Sequence, residues 1–96
     1  MMEWQDVHAE RHEELSQNHI FSFKKRQGER DIPFVITVKE FSTPPAGQRL
    51  RFFAEADKQV NQNTAAFLPA GWGDCVAHAL VDCIRLIRQF PYEGSE

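Results

Sequence analysis

Ninety-six residues make one small domain with one modest core and leave no room for a second. A chain that is 42% hydrophobic and 26% charged has the balance of a globular protein, which excludes a disordered or fibrous one; eight Phe and two Trp point to an aromatic core. The formal net charge of −3 weighs against polyanion binding by the chain as a whole.

The first residues, MMEWQDVHAE, carry acids where a signal peptide needs a basic region before an apolar run. No later stretch approaches the ~18 apolar residues of a membrane span. The expectation is a soluble, cytoplasmic protein. From Glu3 to Gln17 the chain is strongly acidic, with Trp4, Val7, Arg11 and Leu15 spaced as a thin helical seam. Residues 1–17 therefore read as an acidic N-terminal helix or arm, broken at Ser16-Gln17-Asn18.

Three segments with a period of two follow. In HIFSFKKR, Phe21 and Phe23 alternate with Ser22 and Lys24; in PFVITVKEF, Phe34, Ile36 and Val38 alternate with Val35, Thr37 and Lys39. In QRLRFFAEA, Leu50, Phe52, Ala54 and Ala56 share one face, and Arg49, Arg51, Phe53 and Glu55 the other. The connections over residues 27–32 and 42–47 are too short for parallel crossovers, so the three strands form an antiparallel meander. Asp57 to Trp72 is long for a loop in a compact domain, with room in Gln59 to Phe67 for a short strand or a turn, between which the pattern does not decide.

Asp74 to Phe90 is the segment specified most completely. Val76, Leu80, Cys83, Ile84 and Ile87 fall on one face of a helix, with His78, Asp82, Arg85 and Gln89 opposite. Gly73 loosens the approach, Asp74 is placed to cap the first-turn amides, Arg85 and Arg88 suit the negative end of the dipole, and Pro91 blocks continuation. Residues 91–96 read as a flexible tail. The fold expected is α+β: a three-stranded antiparallel sheet, with a fourth short strand allowed for, covered on one face by this helix and flanked by the N-terminal helix. Its core is Phe21, Phe23, Phe34, Ile36, Val38, Leu50, Phe52, Val76, Leu80, Ile84 and Ile87.

Catalytic and metal chemistry find little support. His8 and His12 share a helix face, but Ala9 stands where the HExxH pattern needs its glutamate, and zinc sites close with three or four converging ligands. Cys75 and His78 have the i, i+3 spacing of a nucleophile and its base, without a recognisable orienting partner or oxyanion loop. Cys75 and Cys83 lie eight apart on one helix, about 12 Å at the helical rise, too far for a disulfide. Gly71-Trp72-Gly73 lacks the spacing of a phosphate-binding loop and reads as a tight, Trp-anchored turn into the helix. The chain is expected to be no enzyme and to need no cofactor or metal.

One constellation stands out. The strand faces turned away from the helix carry Ser22, Lys24 and Arg26, then Thr37, Lys39 and Phe41, then Arg49, Arg51 and Phe53. Phe and Arg are favoured anchors of protein interfaces, and the same array could stack unpaired bases and neutralise phosphates. Lys24, Lys39, Phe41, Arg49, Arg51 and Phe53 are accordingly the candidate binding residues. The reading adopted is a protein-interaction module that self-associates as a homodimer or binds a protein partner through the outer sheet face; nucleic-acid binding is the alternative.

The order helix, three strands, helix resembles that of the double-stranded-RNA-binding domain. Three strands followed by a helix at GWGDCVAHALVDC are similar to small HicB-type antitoxin domains. Both resemblances lie in element order over most of the chain. The first family opens its last helix with a lysine-rich stretch, whereas Asp74 to Asp82 contains neither lysine nor arginine, and no residue roles are carried over.

Overall fold

The computed structural model describes Glu10, residues 13–43, Gly47 and residues 49–94. Its elements are β1 (Ser16–Gln27), β2 (Arg30–Phe41), β3 (Phe52–Ala56), β4 (Ala70–Gly73) and α1 (Val76–Gln89). The strands form one antiparallel sheet in the order β1-β2-β3-β4, and α1 packs on one face. The α+β meander with a C-terminal helix is therefore the observed fold, with four strands.

β1 and β2 make a long hairpin in which Phe21 pairs with Ile36 and Phe23 with Phe34. Its loop is only Gly28-Glu29, shorter than the connection expected, and Gly28 has φ +63°. Glycine at the first of two central positions with positive φ is the requirement of a type II′ turn, whose twist matches that of the strands. Alternation along β2 buries Ile32, Phe34, Ile36 and Val38 beneath the helix, with Ala54 and Ala56 of β3 alongside.

The N-terminal helix over Glu3–Gln17 lies mostly outside the described residues. Where that segment is described, Glu13–Leu15 are irregular, and Ser16 and Gln17 already belong to β1, opposite Phe41 and Glu40. Ser16-Gln17-Asn18 is thus the start of a strand rather than a break, because β2 runs far enough to supply its partners.

The fourth strand also differs from expectation. Residues 59–67 supply only an isolated bridge, Val60 with Phe67, while the turn-like Gly71-Trp72-Gly73 is β4. β4 and α1 meet backbone to backbone. A Cβ on Gly71 would stand 2.7 Å from the Cys83 amide nitrogen and 2.8 Å from the Ala79 carbonyl oxygen, and one on Gly73 would meet the Ala79 amide nitrogen. Only glycine permits this approach, and Trp72 between them points to the opposite face.

This close seat selects the helix stripe. The fully buried helical residues are Ala79, Cys83 and Ile87, with Val76, Leu80 and Ile84 half-buried beside them. The stripe is centred about one position away from the one read from hydrophobicity, because small Ala79 and Cys83 can lie against the β4 backbone where Leu80 cannot. Leu50 is likewise half-buried, outside the central cluster. The helix begins after Cys75, which is extended (φ −153°, ψ 168°) and makes no capping bond; Asp74 is not the cap, since its carboxylate accepts a hydrogen bond from His78 Nδ1.

At its other end α1 is capped from across the molecule. Lys25 Nζ donates to the carbonyls of Ile87 (2.7 Å) and Phe90 (3.0 Å), satisfying orphan helix carbonyls with a positive charge at the negative end of the dipole. Partial burial lowers the Lys25 pKa. The chain after Pro91 is no loose tail over the described residues. Tyr92 is only 6% exposed and sits edge-on to Phe34, its amide donates to Gln27 Oε1, and Gln27 Nε2 donates to its carbonyl. The 57–69 loop closes that end of the core: Val60 and Pro69 are fully buried, Phe67 packs edge-on against Phe90, and Asn63 donates to the Glu93 carboxylate.

Two outcomes test this packing. Gly71→Ala must push α1 off the sheet and should cost at least about 1–3 kcal/mol in urea unfolding. A neutral result would contradict the backbone contact. The second concerns the free thiols Cys75 and Cys83. Burial, reinforced by the negative charges of Asp82 and Glu55, pushes the Cys83 thiol from 9.0 to about 12, and its Sγ donates to the Pro69 carbonyl. The folded state then holds this proton where an unfolded chain releases it, so below pH 9 the group leaves stability unchanged, and between 9 and 12 stability falls as pH rises. Cys83→Ala should flatten that part of the stability profile, and a thiol reagent at neutral pH should label Cys75 alone until the protein unfolds.

Candidate functional site

The face of the sheet turned away from α1 is uncovered in the described structure. Strand register arranges it in rows across all four strands. One row runs Asn18, Lys39, Phe53, Trp72; the next runs Ile20, Thr37, Glu55, Ala70. The Trp72 ring lies 4.7 Å from Phe53, tilted by 43°, and 6.2 Å from Phe41, nearly parallel at 23°. Centroid separations of this size are those of attractive aromatic pairs. Phe41 is 5% exposed and forms the floor of the cluster, while Phe53 and Trp72 are half-buried and make its accessible part. Beyond them Ile20 is 70% exposed and Val35 42%, large apolar side chains standing in solvent on the same face.

The expected site residues separate into three groups. Lys39, Phe41 and Phe53 are brought together, with Trp72 added. Lys24 shares their face but pairs with Pro33, six residues along β1 from the Lys39 row, roughly 20 Å at the rise of a strand. Arg49 and Arg51 precede β3 rather than lie within it. Arg51 acts within the fold: its Nε donates to the Phe41 carbonyl (3.2 Å), its Nη2 to that of Ser42 (2.9 Å), and its own carbonyl accepts the Phe41 amide (2.9 Å). It thereby prolongs the β2–β3 ladder by one pair, Phe41 with Arg51, beyond Glu40 with Phe52. Of the arginines proposed for this face, Arg49 alone remains exposed without such bonds among the described residues.

Sequence reasoning missed Trp72 as a surface residue. The signal was present as small, large, small in Gly71-Trp72-Gly73, a period-two pattern too short to outweigh the turn chemistry of two glycines.

A second cluster lies at the start of α1. Ligand-capable atoms of Asp74, Cys75 and His78 lie within 4.8 Å of one another, so His78 does acquire the orienting carboxylate that the sequence did not reveal. Beside it an open groove of about 350 Å³ is lined by Trp72, Ala77, His78, Val81, Asp82 and Arg85. The Asp74 and His78 side chains are 70% and 69% exposed. Water therefore reaches both partners, and the group lacks the enclosure that gives catalytic dipoles and charges their strength. Cys75 and His78 share no hydrogen bond among the described residues.

No protein-family model matches the chain, and neither a curated protein nor a solved structure is significantly similar to it. The resemblance in element order to the RNA-binding and HicB-type domains thus stands without a matching structure, and the strand between β3 and the helix departs from the three-strand order of both readings. No helix among the described residues is long and apolar enough to cross a membrane.

The division of labour between the cations is measurable. Arg51→Ala should lower stability by about 1 kcal/mol through two lost charge-assisted bonds. Lys39→Ala, at an exposed position, should change it by less than about 0.5 kcal/mol. Equal effects would mean that Arg51 is as available for binding as Lys39.

Proposed function

We propose that this protein is a non-enzymatic interaction module that presents the outer face of its sheet to a protein partner. The observation that carries the reading is the Phe41–Trp72–Phe53 cluster, held on the side of the sheet away from the helix and bordered by exposed Ile20 and Val35. A rigid four-stranded platform with a half-buried aromatic centre and an apolar margin has the make-up of an interface hot spot. Lys39 within the aromatic row and Lys24 farther along the face favour a partner surface with an acidic rim.

The same platform also suits stacking on unpaired bases, since Trp72 lies in the row that holds Lys39. Two features favour the protein partner. Glu55 stands in the adjacent row between Thr37 and Ala70, where a phosphate chain would have to pass, and the Arg51 guanidinium is occupied by backbone carbonyls.

Photo-crosslinking separates the two. A photoreactive residue at position 37, on the outer face, should yield one discrete, nuclease-resistant protein adduct in cells. The same residue at position 63, on the far loop, should not, and Trp72→Ala should abolish the adduct. A nuclease-sensitive product, or salt-dependent binding of the purified protein to random single-stranded oligonucleotides that is lost in Lys39→Glu, would reverse the assignment.

A further inference from the structure

Among the described residues, β1 is an edge strand of 12 residues paired only with β2. On β2 the odd-numbered amides turn toward β3 and beyond it: Phe41 N–H donates to the Arg51 carbonyl and Val35 N–H to Asp57 Oδ1, a side chain standing in where β3 has ended. Even-numbered β2 residues therefore bond to β1, and their partners there are odd-numbered. It follows that Ser16, Asn18, Ile20, Ser22, Lys24 and Arg26 direct their N–H and C=O groups to the open edge.

Such an edge is normally blunted by brevity, proline, a bulge or an inward charge. β1 is long, contains no proline, and keeps one continuous register with β2. Its single inward charge, Lys25, is occupied by the helix carbonyls. Phe21 and Phe23 on its inner side are only half-buried, because α1 lies mainly against β4 and barely reaches β1. Ile20 on its outer side is largely exposed.

From this edge we infer that two copies of the chain associate through their β1 strands, antiparallel about a two-fold axis near Ile20, joining two four-stranded sheets into one of eight. Charge selects the second copy as the occupant. Exposed Glu13 and Glu14 lead into β1, and exposed Lys24 and Arg26 close it, with an uncharged stretch between apart from His19. Antiparallel self-pairing with Ile20 opposite Ile20 places Ser16 opposite Lys24 and brings the acidic lead of each copy to the basic end of the other, twice by symmetry. The open amides of Ile20, Ser22 and Lys24 meet the same open set of the other copy, and the half-buried phenylalanines of the two inner faces become neighbours. This interface lies on the sheet's edge and is independent of the outer-face reading, although it would double the platform which that face presents.

Sedimentation equilibrium up to about 1 mM, where even weak pairs are populated, tests the inference. The wild type should reach twice the 11.1 kDa chain mass. Ser22→Pro removes an open-edge amide without touching the β2 ladder and should give a monomer. Glu13→Lys with Glu14→Lys, and separately Lys24→Glu with Arg26→Glu, should each be monomeric with an unchanged circular dichroism spectrum, and mixing the two should restore a dimer containing one of each. A monomeric wild type, or a mixture that stays monomeric, overturns the inference. A dimer that survives all edge changes but dissolves in Phe53→Ala with Trp72→Ala also overturns it, and assigns self-association to the outer face.

Discussion

The contact on which the rest of the structure depends is the approach of the β4 backbone to the backbone of α1. A Cβ at Gly71 would lie 2.7 Å from a helix amide nitrogen, so the two main chains touch with nothing between them. Helices usually rest on sheets through side chains; here small Ala79 and Cys83 against two glycines bring α1 down onto the edge of the sheet. That position leaves the far edge, β1, largely uncovered by the helix. It also fixes where Trp72 goes. With glycines on either side facing inward, the pleat turns the indole outward, over Phe53 and beside Phe41.

The open end of the core is closed by other means. The hairpin of β1 and β2 extends past the end of β3, and three separate segments serve that overhang. Asp57 accepts the Val35 amide and Lys58 donates to the Pro33 carbonyl (2.6 Å). Lys25 ties the overhang to the last carbonyls of α1, and Tyr92 returns beneath it to meet Phe34 and Gln27. Pro33 fits in the middle of β2 because its missing amide faces the side on which β3 no longer runs. The polar bonds of the loop and the terminal segment are thus the means by which a small core is sealed, and the buried polar side-chain atoms all find partners among the described residues.

How much of this was legible follows from how local each signal is. β1, β2 and α1 show in the sequence because their period extends over many residues, and the antiparallel order follows from short connections. β4 does not show, because four residues with two glycines carry turn chemistry, and only contact with a helix not yet formed makes glycine the right residue for a strand. The same tertiary contact moved the buried stripe from Leu80 toward Ala79 and Cys83: hydrophobicity ranks leucine first, whereas close packing favours the smaller residue. On the outer face, Lys39, Phe41 and Phe53 were placed correctly by parity alone. Arg51 had the expected parity too, but its bonds to the carbonyls of residues 41 and 42 depend on where the 42–50 connection returns, which no spacing rule encodes. Trp72 was invisible as a surface residue for as long as β4 was.

Residues 70–73 form a strand with glycines toward the helix and Trp72 on the opposite face, and solution NMR reads that arrangement directly. The structure requires cross-strand contacts between the α-protons of Phe53 and Trp72 and of Glu55 and Ala70, the non-hydrogen-bonded pairs, and between the amides of Ala54 and Gly71, together with contacts from the Trp72 indole to the Phe53 ring and none to Phe34 or Ile36. Contacts from the Trp72 indole into the Phe34–Ile36 core, or a turn pattern at Gly71-Trp72-Gly73 without partners in β3, would contradict it.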